Sequence, residues 1–112
     1  MFESPRERFA PVLDAAELAD GTLRRVELEG ESVLLAQSES GEVCAISAVC
    51  SHMGGPLDEG ERDGDVVVCP WHGSRFDLCT GAVEGGPAVY PQPRYETRVR
   101  AGKVEIRAAR DD

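Results

Sequence analysis

The sequence lacks the features that place a protein in a membrane or on a nucleic acid. None of its hydrophobic runs approaches the roughly 20 apolar residues of a membrane-spanning helix, and the N-terminal stretch MFESPRERFAPVL carries charges where a signal peptide needs an apolar core. Basic residues are scarce, because 12 Lys and Arg stand against 21 Asp and Glu and leave a net charge of −9. Nucleic acids and anionic lipids attract Lys and Arg, so neither is expected as the main partner.

Histidine and cysteine are also few: the 112 residues include two histidines and four cysteines. Without an export signal, we expect a cytoplasmic location, where thiols stay reduced. Two of the cysteines are matched to the two histidines along the chain, which favours metal ligation over disulfide bonding for that pair. A chain of this length and charge is expected to form one domain and to be a monomer when free.

Long helical patterns are missing as well, and the sequence predicts an all-β fold. One short signal, with Asp14 as N-cap, Glu17 closing a capping box and Gly21 as a stop, predicts a helix of two turns at most. Short segments bounded by turn residues, of which 22–29 and 95–100 alternate, predict strands at 22–29, 31–37, 41–49, 65–69, 95–100 and 103–107. Gly30 predicts a hairpin between the first two strands, and Ala101-Gly102 predicts one between the last two. Strands this short and closely spaced indicate small antiparallel sheets in a sandwich or barrel-like arrangement.

Both histidines lie in two short stretches that each contain a cysteine. CSHMGGP, residues 50–56, pairs Cys50 with His52, and CPWHGSRF, residues 69–76, pairs Cys69 with His72. Each pair follows a predicted strand and runs into Gly and Pro, as expected for two loops that leave neighbouring strands. The repeated pairing makes a purely structural role for these four residues improbable.

Two thiolates and two neutral imidazoles suit either of two metal centres. A tetrahedral zinc ion accepts two cysteines and two histidines, as does a 2Fe–2S cluster. Zinc fingers usually pair Cys with Cys and His with His, whereas here each loop supplies one of each. That arrangement favours a two-iron cluster in which both cysteines hold one iron and both histidines hold the other; zinc remains the alternative.

The pattern Cys-x-His followed by Cys-x-x-His resembles the Rieske iron–sulfur proteins. VCAISAVCSHMGGPL, CPWHGSRFDLCTG and GGPAVYPQPRYETRV are similar to the two cluster loops of that family and to the proline segment that covers them. The resemblance implies one Rieske domain over residues 1–112, built from three small antiparallel sheets with an inserted cluster-binding subdomain. It places the cluster loops at about 49–57 and 68–80 and the proline segment at about 85–93.

The same resemblance implies roles for residues around the cluster. Ser74 corresponds to a serine that bonds a bridging sulfide, and Phe76 replaces a tyrosine that bonds a cysteine sulfur. A missing hydrogen bond of that kind predicts a reduction potential in the lower half of the Rieske range, which spans roughly −150 to +300 mV. Gly55 and Trp71 replace the two cysteines that respiratory and photosynthetic members join as a disulfide. The remaining surrounding residues are Met53, Gly54, Gly73 and Pro87.

By resemblance, the chain is similar to the soluble Rieske ferredoxins of ring-hydroxylating dioxygenase systems. In those systems a flavoprotein reductase supplies electrons and the ferredoxin passes them singly to an oxygenase. The chain is not expected to be an enzyme itself, because a mononuclear iron centre needs two further histidines and a carboxylate. The alternatives are a fixed Rieske subunit or domain, of the nitrite-reductase or membrane-protein-associated type, and a structural zinc-binding module.

Two cysteines, Cys44 and Cys79, match no ligand position of the family. Cys44 lies in an apolar predicted strand, where the simplest interpretation is a small buried hydrophobic residue. Cys79 lies near a turn that follows the second cluster loop. Neither is given a role.

Overall fold

The computed structural model describes residues 8–109, so most of the charged N-terminal stretch lies outside the described part of the chain. These residues form ten strands and two single-turn 3₁₀ helices, Ala15–Leu18 and Leu57–Glu59. The strands are β1 (Ala10–Asp14), β2 (Arg24–Leu28), β3 (Glu31–Gln37), β4 (Val43–Ser47), β5 (Glu61–Asp63), β6 (Val66–Val68), β7 (Arg75–Asp77), β8 (Val83–Gly85), β9 (Arg94–Arg100) and β10 (Lys103–Ala108). The all-β prediction is confirmed, and neither helix in residues 8–109 has the length or apolar character to cross a bilayer.

The strands pair into two antiparallel sheets. A six-stranded sheet has the order β1-β10-β9-β4-β3-β2, and a four-stranded sheet has the order β5-β6-β7-β8. The small sheet is an insertion, because it lies in sequence between β4 and β9, which are neighbours in the large sheet. The expectation of three sheets is wrong for residues 8–109. The β2–β3–β4 and β1–β10–β9 halves of the large sheet are joined where β4 pairs with β9, through Ala45 with Tyr95 and Ile46 with Arg94.

The two predicted hairpins are confirmed, and each has a two-residue turn. Glu29 and Gly30 between β2 and β3 have φ values of 51° and 81°, and Ala101 and Gly102 between β9 and β10 have 51° and 77°. Two successive positive φ values match the twist of the flanking strands. The short helix also forms, with the Glu17 carboxylate accepting the Asp14 N–H at 3.1 Å.

Four strands escaped the sequence analysis. β5, β7 and β8 have three residues each, which is too short for an alternating pattern to stand out. β1 lies beside the helix signal and pairs with β10 at the end of the chain through an irregular register. Three of these four strands belong to the inserted sheet. The sequence pattern therefore predicted only one strand, β6, of the sheet that adjoins the cluster loops.

The large sheet is buried on both faces. Along β3, Val33 and Leu35 belong to one core cluster, while Leu34 and Ala36 belong to the other. This two-sided burial explains why the strand reads as a continuous apolar run rather than an alternating one. The second of these clusters also contains Cys50 and Cys69, so the large sheet forms the floor beneath both cluster loops.

A tight backbone contact holds the proline segment against the turn between β7 and β8. The Gln92 N–H donates to the carbonyl of Gly81 at 2.8 Å. Gly81 has φ +78°, and a Cβ atom there would overlap the carbonyl oxygen of Gln92. Only glycine combines that conformation with so close an approach of two backbones.

We predict that Gly81→Ala destabilises the protein much more than Gly102→Ala. Gly102 also has a positive φ, of +77°, but nothing lies within 4 Å of a Cβ placed there. Its replacement costs about 1–2 kcal/mol for the backbone conformation alone, whereas Gly81→Ala adds about 1–3 kcal/mol of steric overlap. Urea unfolding followed by tryptophan fluorescence measures both losses. Equal losses would contradict the close approach of Gly81 and Gln92.

Candidate metal centre

The first cluster loop is a compact turn that begins at Cys50. The Cys50 N–H donates to the carbonyl of Gly55 at 2.9 Å, and the Gly54 N–H donates back to the carbonyl of Cys50 at 2.8 Å. Gly54 has φ +82°, which a residue with a side chain adopts only under strain. The backbone between these bonds carries His52 outward.

The second cluster loop repeats the same backbone bonds. The Cys69 N–H donates to the carbonyl of Ser74 at 2.8 Å, and the Gly73 N–H donates to the carbonyl of Cys69 at 3.2 Å. His72 adopts φ +83°, an unusual conformation for a residue with a side chain. The two loops are thus structural counterparts, and the strained backbone falls on a residue predicted to bind metal.

The two cysteines lie side by side inside the protein. Cys50 and Cys69 are free thiols, each 3% exposed, and they share a core cluster with Phe76. Burial raises the pKa of the Cys69 thiol, and the neighbouring Cys50 raises it further. The Trp71 N–H, 3.4 Å from the Cys69 sulfur, acts in the opposite direction. Buried thiolates at this place need a cationic partner, as a bound metal ion would be.

The two histidine rings lie beside each other and are more exposed than the cysteines. Their ring centroids are 5.3 Å apart and the ring planes are nearly perpendicular, at 89°. His72 is exposed and His52 is partly buried. Within residues 8–109, no group of three or more His, Cys, Asp or Glu side chains is placed to hold a single metal ion. Two thiols inside and two imidazoles outside suit a centre with two metal ions, each held by one pair.

The comparisons agree with this geometry. Residues 8–96 match the family described as the Rieske [2Fe-2S] domain. The chain belongs to this family. Its cofactor is therefore a Rieske-type 2Fe–2S cluster, and the zinc alternative is wrong. The donor set fits that cluster, since it offers two thiols and two imidazoles.

Relatives of this Rieske chain include both free ferredoxins and longer proteins. Ferredoxin CarAc of Metapseudomonas resinovorans is 35% identical over 85% of this chain and 89% of its own length. Apoptosis-inducing factor 3 of Mus musculus is 36% identical over 90% of this chain but only 16% of its own length. The first is named a ferredoxin, an electron-transfer component rather than a catalyst, which confirms that the chain is not itself an enzyme.

A solved structure shows the same architecture. The chain aligns with a ferredoxin-sized chain from the complex of reduced oxygenase and oxidized ferredoxin in carbazole 1,9a-dioxygenase, with a TM-score of 0.84 and 30% identity. The alignment covers 92% of this chain and 97% of that one. This agreement confirms the Rieske fold predicted from the sequence.

Trp71 covers the first loop instead of joining the core. A Cβ atom on Gly55 would lie 2.7 Å from the Cys69 sulfur and 3.0 Å from Cγ of Trp71. The indole therefore packs directly on the Gly55 backbone beside Cys69, while 49% of Trp71 remains exposed. Met53 is 60% exposed and Pro87 is also exposed.

Ser74 and Phe76 both lie next to the buried cysteines. The Ser74 carbonyl accepts the Cys69 N–H, and Phe76 shares a core cluster with Cys50 and Cys69. Ser74 is 1% exposed, and its hydroxyl oxygen accepts the Ala88 N–H at 3.1 Å. That bond leaves the hydroxyl proton to be donated elsewhere. Phe76 is fully buried in β7, in the core cluster that contains Cys50 and Cys69. A hydroxyl group added to its ring would have to find a partner inside this cluster.

Sequence reasoning missed the residue that ties the proline segment to the first cluster loop. The side chain of Gln92, 2% exposed, donates through Nε2 to the carbonyls of Ser47 at 2.9 Å and Val49 at 2.7 Å. Its Oε1 accepts the Ser51 N–H at 2.6 Å. Ser51 stands between the two predicted ligands of that loop, so Gln92 positions both. The one available signal was a polar residue between two prolines.

Sequence reasoning also missed a disulfide. Cys44 in β4 and Cys79 after β7 are bonded, with their Cα atoms 4.7 Å apart. Cys44 is buried, as expected from the sequence, but it is bonded to Cys79 and is not a free thiol. The two cysteines are 35 residues apart, one in a strand of the large sheet and the other in the turn that follows β7, so only the fold brings them together.

We predict that Gln92→Leu loosens the first cluster loop. Leucine has a similar volume but leaves the Val49 carbonyl and the Ser51 N–H without partners, at a cost of about 1–3 kcal/mol for each buried group. The free energy of unfolding, measured in urea, should fall by about 2–5 kcal/mol.

The matched control is Gln37→Leu, the same change at the chain's other glutamine. Its amide makes one exposed bond, 3.3 Å long, to the carbonyl of Gly41. The loss there should stay near 0.5 kcal/mol. Similar losses of unfolding free energy in both variants would contradict the positioning role of Gln92.

We also predict that Phe76→Tyr raises the reduction potential. A hydroxyl bonded to a charged sulfur contributes about 1.5–3 kcal/mol, which corresponds to roughly 60–130 mV for one electron. Protein-film voltammetry measures the shift. Phe76→Leu, which adds no hydroxyl, should leave the potential nearly unchanged. A tyrosine variant at the wild-type potential would refute this account of residue 76.

Proposed function

We propose that residues 1–112 form a single Rieske domain that carries one electron at a time from a flavoprotein reductase to an oxygenase-type acceptor. In this proposal Cys50 and Cys69 ligate one iron, and His52 and His72 ligate the other. The supporting observation is the division of the four side chains, with both thiols buried in the core and both imidazoles at the surface.

This division suits electron transfer. The bound cluster supplies a site that gains and loses one electron. The chain buries the cysteine side of that site beneath the loops and holds the histidine rings at the protein surface. An acceptor that docks over His72 therefore approaches the cluster through one imidazole, without any opening of the core.

The surface around the histidines is apolar. Among the described residues, the exposed large hydrophobic side chains are Val49, Met53, Trp71, Val89, Tyr90 and Val99. All but Val99 lie on the cluster loops or on the proline segment. Ser51 Oγ donates to the Tyr90 carbonyl at 2.6 Å and so holds that segment against the first loop. Concentration of exposed apolar groups at one place is typical of a docking surface.

The same surface carries almost no charge. Residues 49–56 and 85–93 contain no Asp, Glu, Lys or Arg, and residues 69–76 contain only Arg75, which pairs with Asp63 at 2.6 Å. All the acidic residues behind the net charge of −9 therefore lie on the rest of the chain. This distribution supports long-range attraction to a basic partner, followed by apolar contact at the histidines.

Relatives support the choice of partner. The aligned structure is described as a complex of oxygenase and ferredoxin, and a naphthalene 1,2-dioxygenase ferredoxin component of Pseudomonas aeruginosa is 28% identical over 89% of this chain. We propose an oxygenase component as the acceptor and a flavoprotein reductase as the donor. The cytoplasm, where such reductases obtain NAD(P)H, is the proposed location.

A second candidate function is a fixed Rieske domain within a larger redox protein. Apoptosis-inducing factor 3 favours it, because this chain matches only 16% of that protein's length. A fixed domain receives electrons within one assembly and does not exchange them with a separate reductase.

Reduction by a separate enzyme tests the proposed function. The purified chain is mixed anaerobically with NADH and a catalytic amount of the reductase component of a carbazole 1,9a-dioxygenase system. Loss of the visible absorption within seconds, followed by reoxidation when the oxygenase component is added, supports a free carrier. A chain that dithionite reduces but the reductase does not, and that purifies with a stable partner, is a fixed domain.

We predict that Val89→Asp slows electron transfer to the oxygenase. Val89 is 77% exposed on the proline segment, and the carboxylate would interrupt the apolar docking surface. The second-order rate from the pre-reduced chain to the oxygenase component of carbazole 1,9a-dioxygenase, followed by stopped flow, should fall about tenfold or more, as for a loss of about 1.4 kcal/mol.

The matched control is Val99→Asp, the same change in β9 outside the three loops, where valine is 49% exposed. It should alter the rate by less than about twofold, because surface changes away from a contact are nearly neutral. Equal slowing by the two substitutions would show that net charge, not the docking surface, limits the reaction.

A further inference from the structure

The disulfide encloses the metal centre along the chain. Cys44 and Cys79 are 35 residues apart, and all four proposed ligands, from Cys50 to His72, lie between them. The bond also joins the two sheets, since Cys44 belongs to β4 of the large sheet and Cys79 follows β7 of the small one. Opening it releases the ligand-bearing segment from a covalent ring.

A chain of contacts connects Cys79 with the first cluster loop. The Asp77 carboxylate accepts the N–H groups of Cys79 and Thr80, each at 2.8 Å, and fixes the turn. Two residues beyond Cys79, the carbonyl of Gly81 accepts the Gln92 N–H. The Gln92 side chain then holds the Ser51 N–H between the ligands of the first loop. A shift of the turn at Cys79 is therefore transmitted to the first cluster loop through a short series of hydrogen bonds.

Solvent reaches the disulfide from one side. A surface groove of about 330 Å³ is lined by both cysteines together with Glu42, Tyr95 and Thr97. Cys44 is 6% exposed, whereas Cys79 is partly exposed. An attacking thiolate therefore meets the Cys79 sulfur more readily than the Cys44 sulfur.

We propose that Cys44 and Cys79 form a dithiol–disulfide couple that controls how firmly the chain holds its cluster. The proposal rests on the cluster site and on the cytoplasmic location given under the proposed function. In that compartment a disulfide is exposed to protein dithiols and is usually transient or redox-sensing rather than permanent. The oxidised couple retains the cluster, and the reduced couple releases it faster.

The exchange balances with a dithiol reductant of the thioredoxin class. One thiolate of the reductant attacks the Cys79 sulfur, the bond to Cys44 breaks, and Cys44 takes up a proton. The second thiol of the reductant attacks the mixed disulfide and releases Cys79, which also gains a proton. Two electrons and two protons pass to the chain, and the reductant ends as a disulfide.

The expected effect is large because the ring is long. Closing a loop of this length restricts the unfolded chain enough to shift an equilibrium on the order of a hundredfold. Part of that factor should appear in the release of iron, since the ligand-bearing segment must open for the cluster to leave. We expect release to become about tenfold faster, or more, after reduction.

Counting thiols is the first test. The cluster-loaded protein is denatured in the presence of iodoacetamide, which alkylates free thiols, and of an iron chelator. Its mass is then measured by mass spectrometry. Two of the four cysteines should be alkylated, and all four after earlier treatment with dithiothreitol. Four alkylated cysteines in the untreated chain, and again after incubation with oxidised glutathione, overturn the proposal.

Iron release is the second test. Transfer of iron to ferrozine is timed for the oxidised chain, the dithiothreitol-reduced chain and the Cys44→Ser/Cys79→Ser variant. The reduced chain and the variant should both release iron faster, and dithiothreitol should not change the variant's rate. Equal rates for the oxidised and reduced chain overturn the proposal, as does a variant that dithiothreitol also accelerates.

Two further outcomes are decided by the same experiment. If the double variant does not fold, the comparison of oxidised with reduced wild-type chain decides alone. A chain that binds no iron–sulfur cluster in either thiol state contradicts the proposed function itself, and this inference with it.

Discussion

Burial of two cysteine sulfurs in one apolar cluster is the constraint on which the rest of the structure depends. Cys50 and Cys69 lie beside each other at 3% exposure, where burial raises the pKa of the Cys69 thiol. Thiolates at such a place are stable only beside cations. The large sheet supplies the apolar floor, the paired loops supply the backbone turns, and the two histidines, the proposed ligands of the second iron, lie on the solvent side.

Holding those loops in place requires polar groups inside the protein. Gln92 satisfies three backbone groups around the first loop, and Ser74 accepts the Ala88 N–H beside the second. The proline segment therefore acts as a strap that is bonded to both loops. The disulfide between Cys44 and Cys79 links β4 of the large sheet to the turn that follows β7 of the small sheet. Trp71 on Gly55 occupies the position at which respiratory Rieske proteins are expected to carry their disulfide.

The spacing of cysteines and histidines was enough to predict the centre and the family, because ligand pairs of this kind have few other uses. Alternation and turn residues predicted the two hairpins, since seven-residue strands such as β9 carry a readable pattern. Three of the four strands of the inserted sheet escaped because each has only three residues and lacks the apolar run of β6. Gln92 and the disulfide escaped because their partners are distant in sequence: Gln92 binds residues more than 40 positions away. Local patterns do not report such contacts.

Pulsed EPR of the dithionite-reduced protein tests the central claim most directly. The account predicts a paramagnetic cluster with hyperfine coupling to two inequivalent ¹⁴N nuclei, one from each imidazole. Labelling the protein with ¹⁵N-histidine should replace both couplings. A reduced cluster without histidine nitrogen coupling, or a colourless protein that shows no EPR signal and binds zinc, would contradict the assignment of His52 and His72.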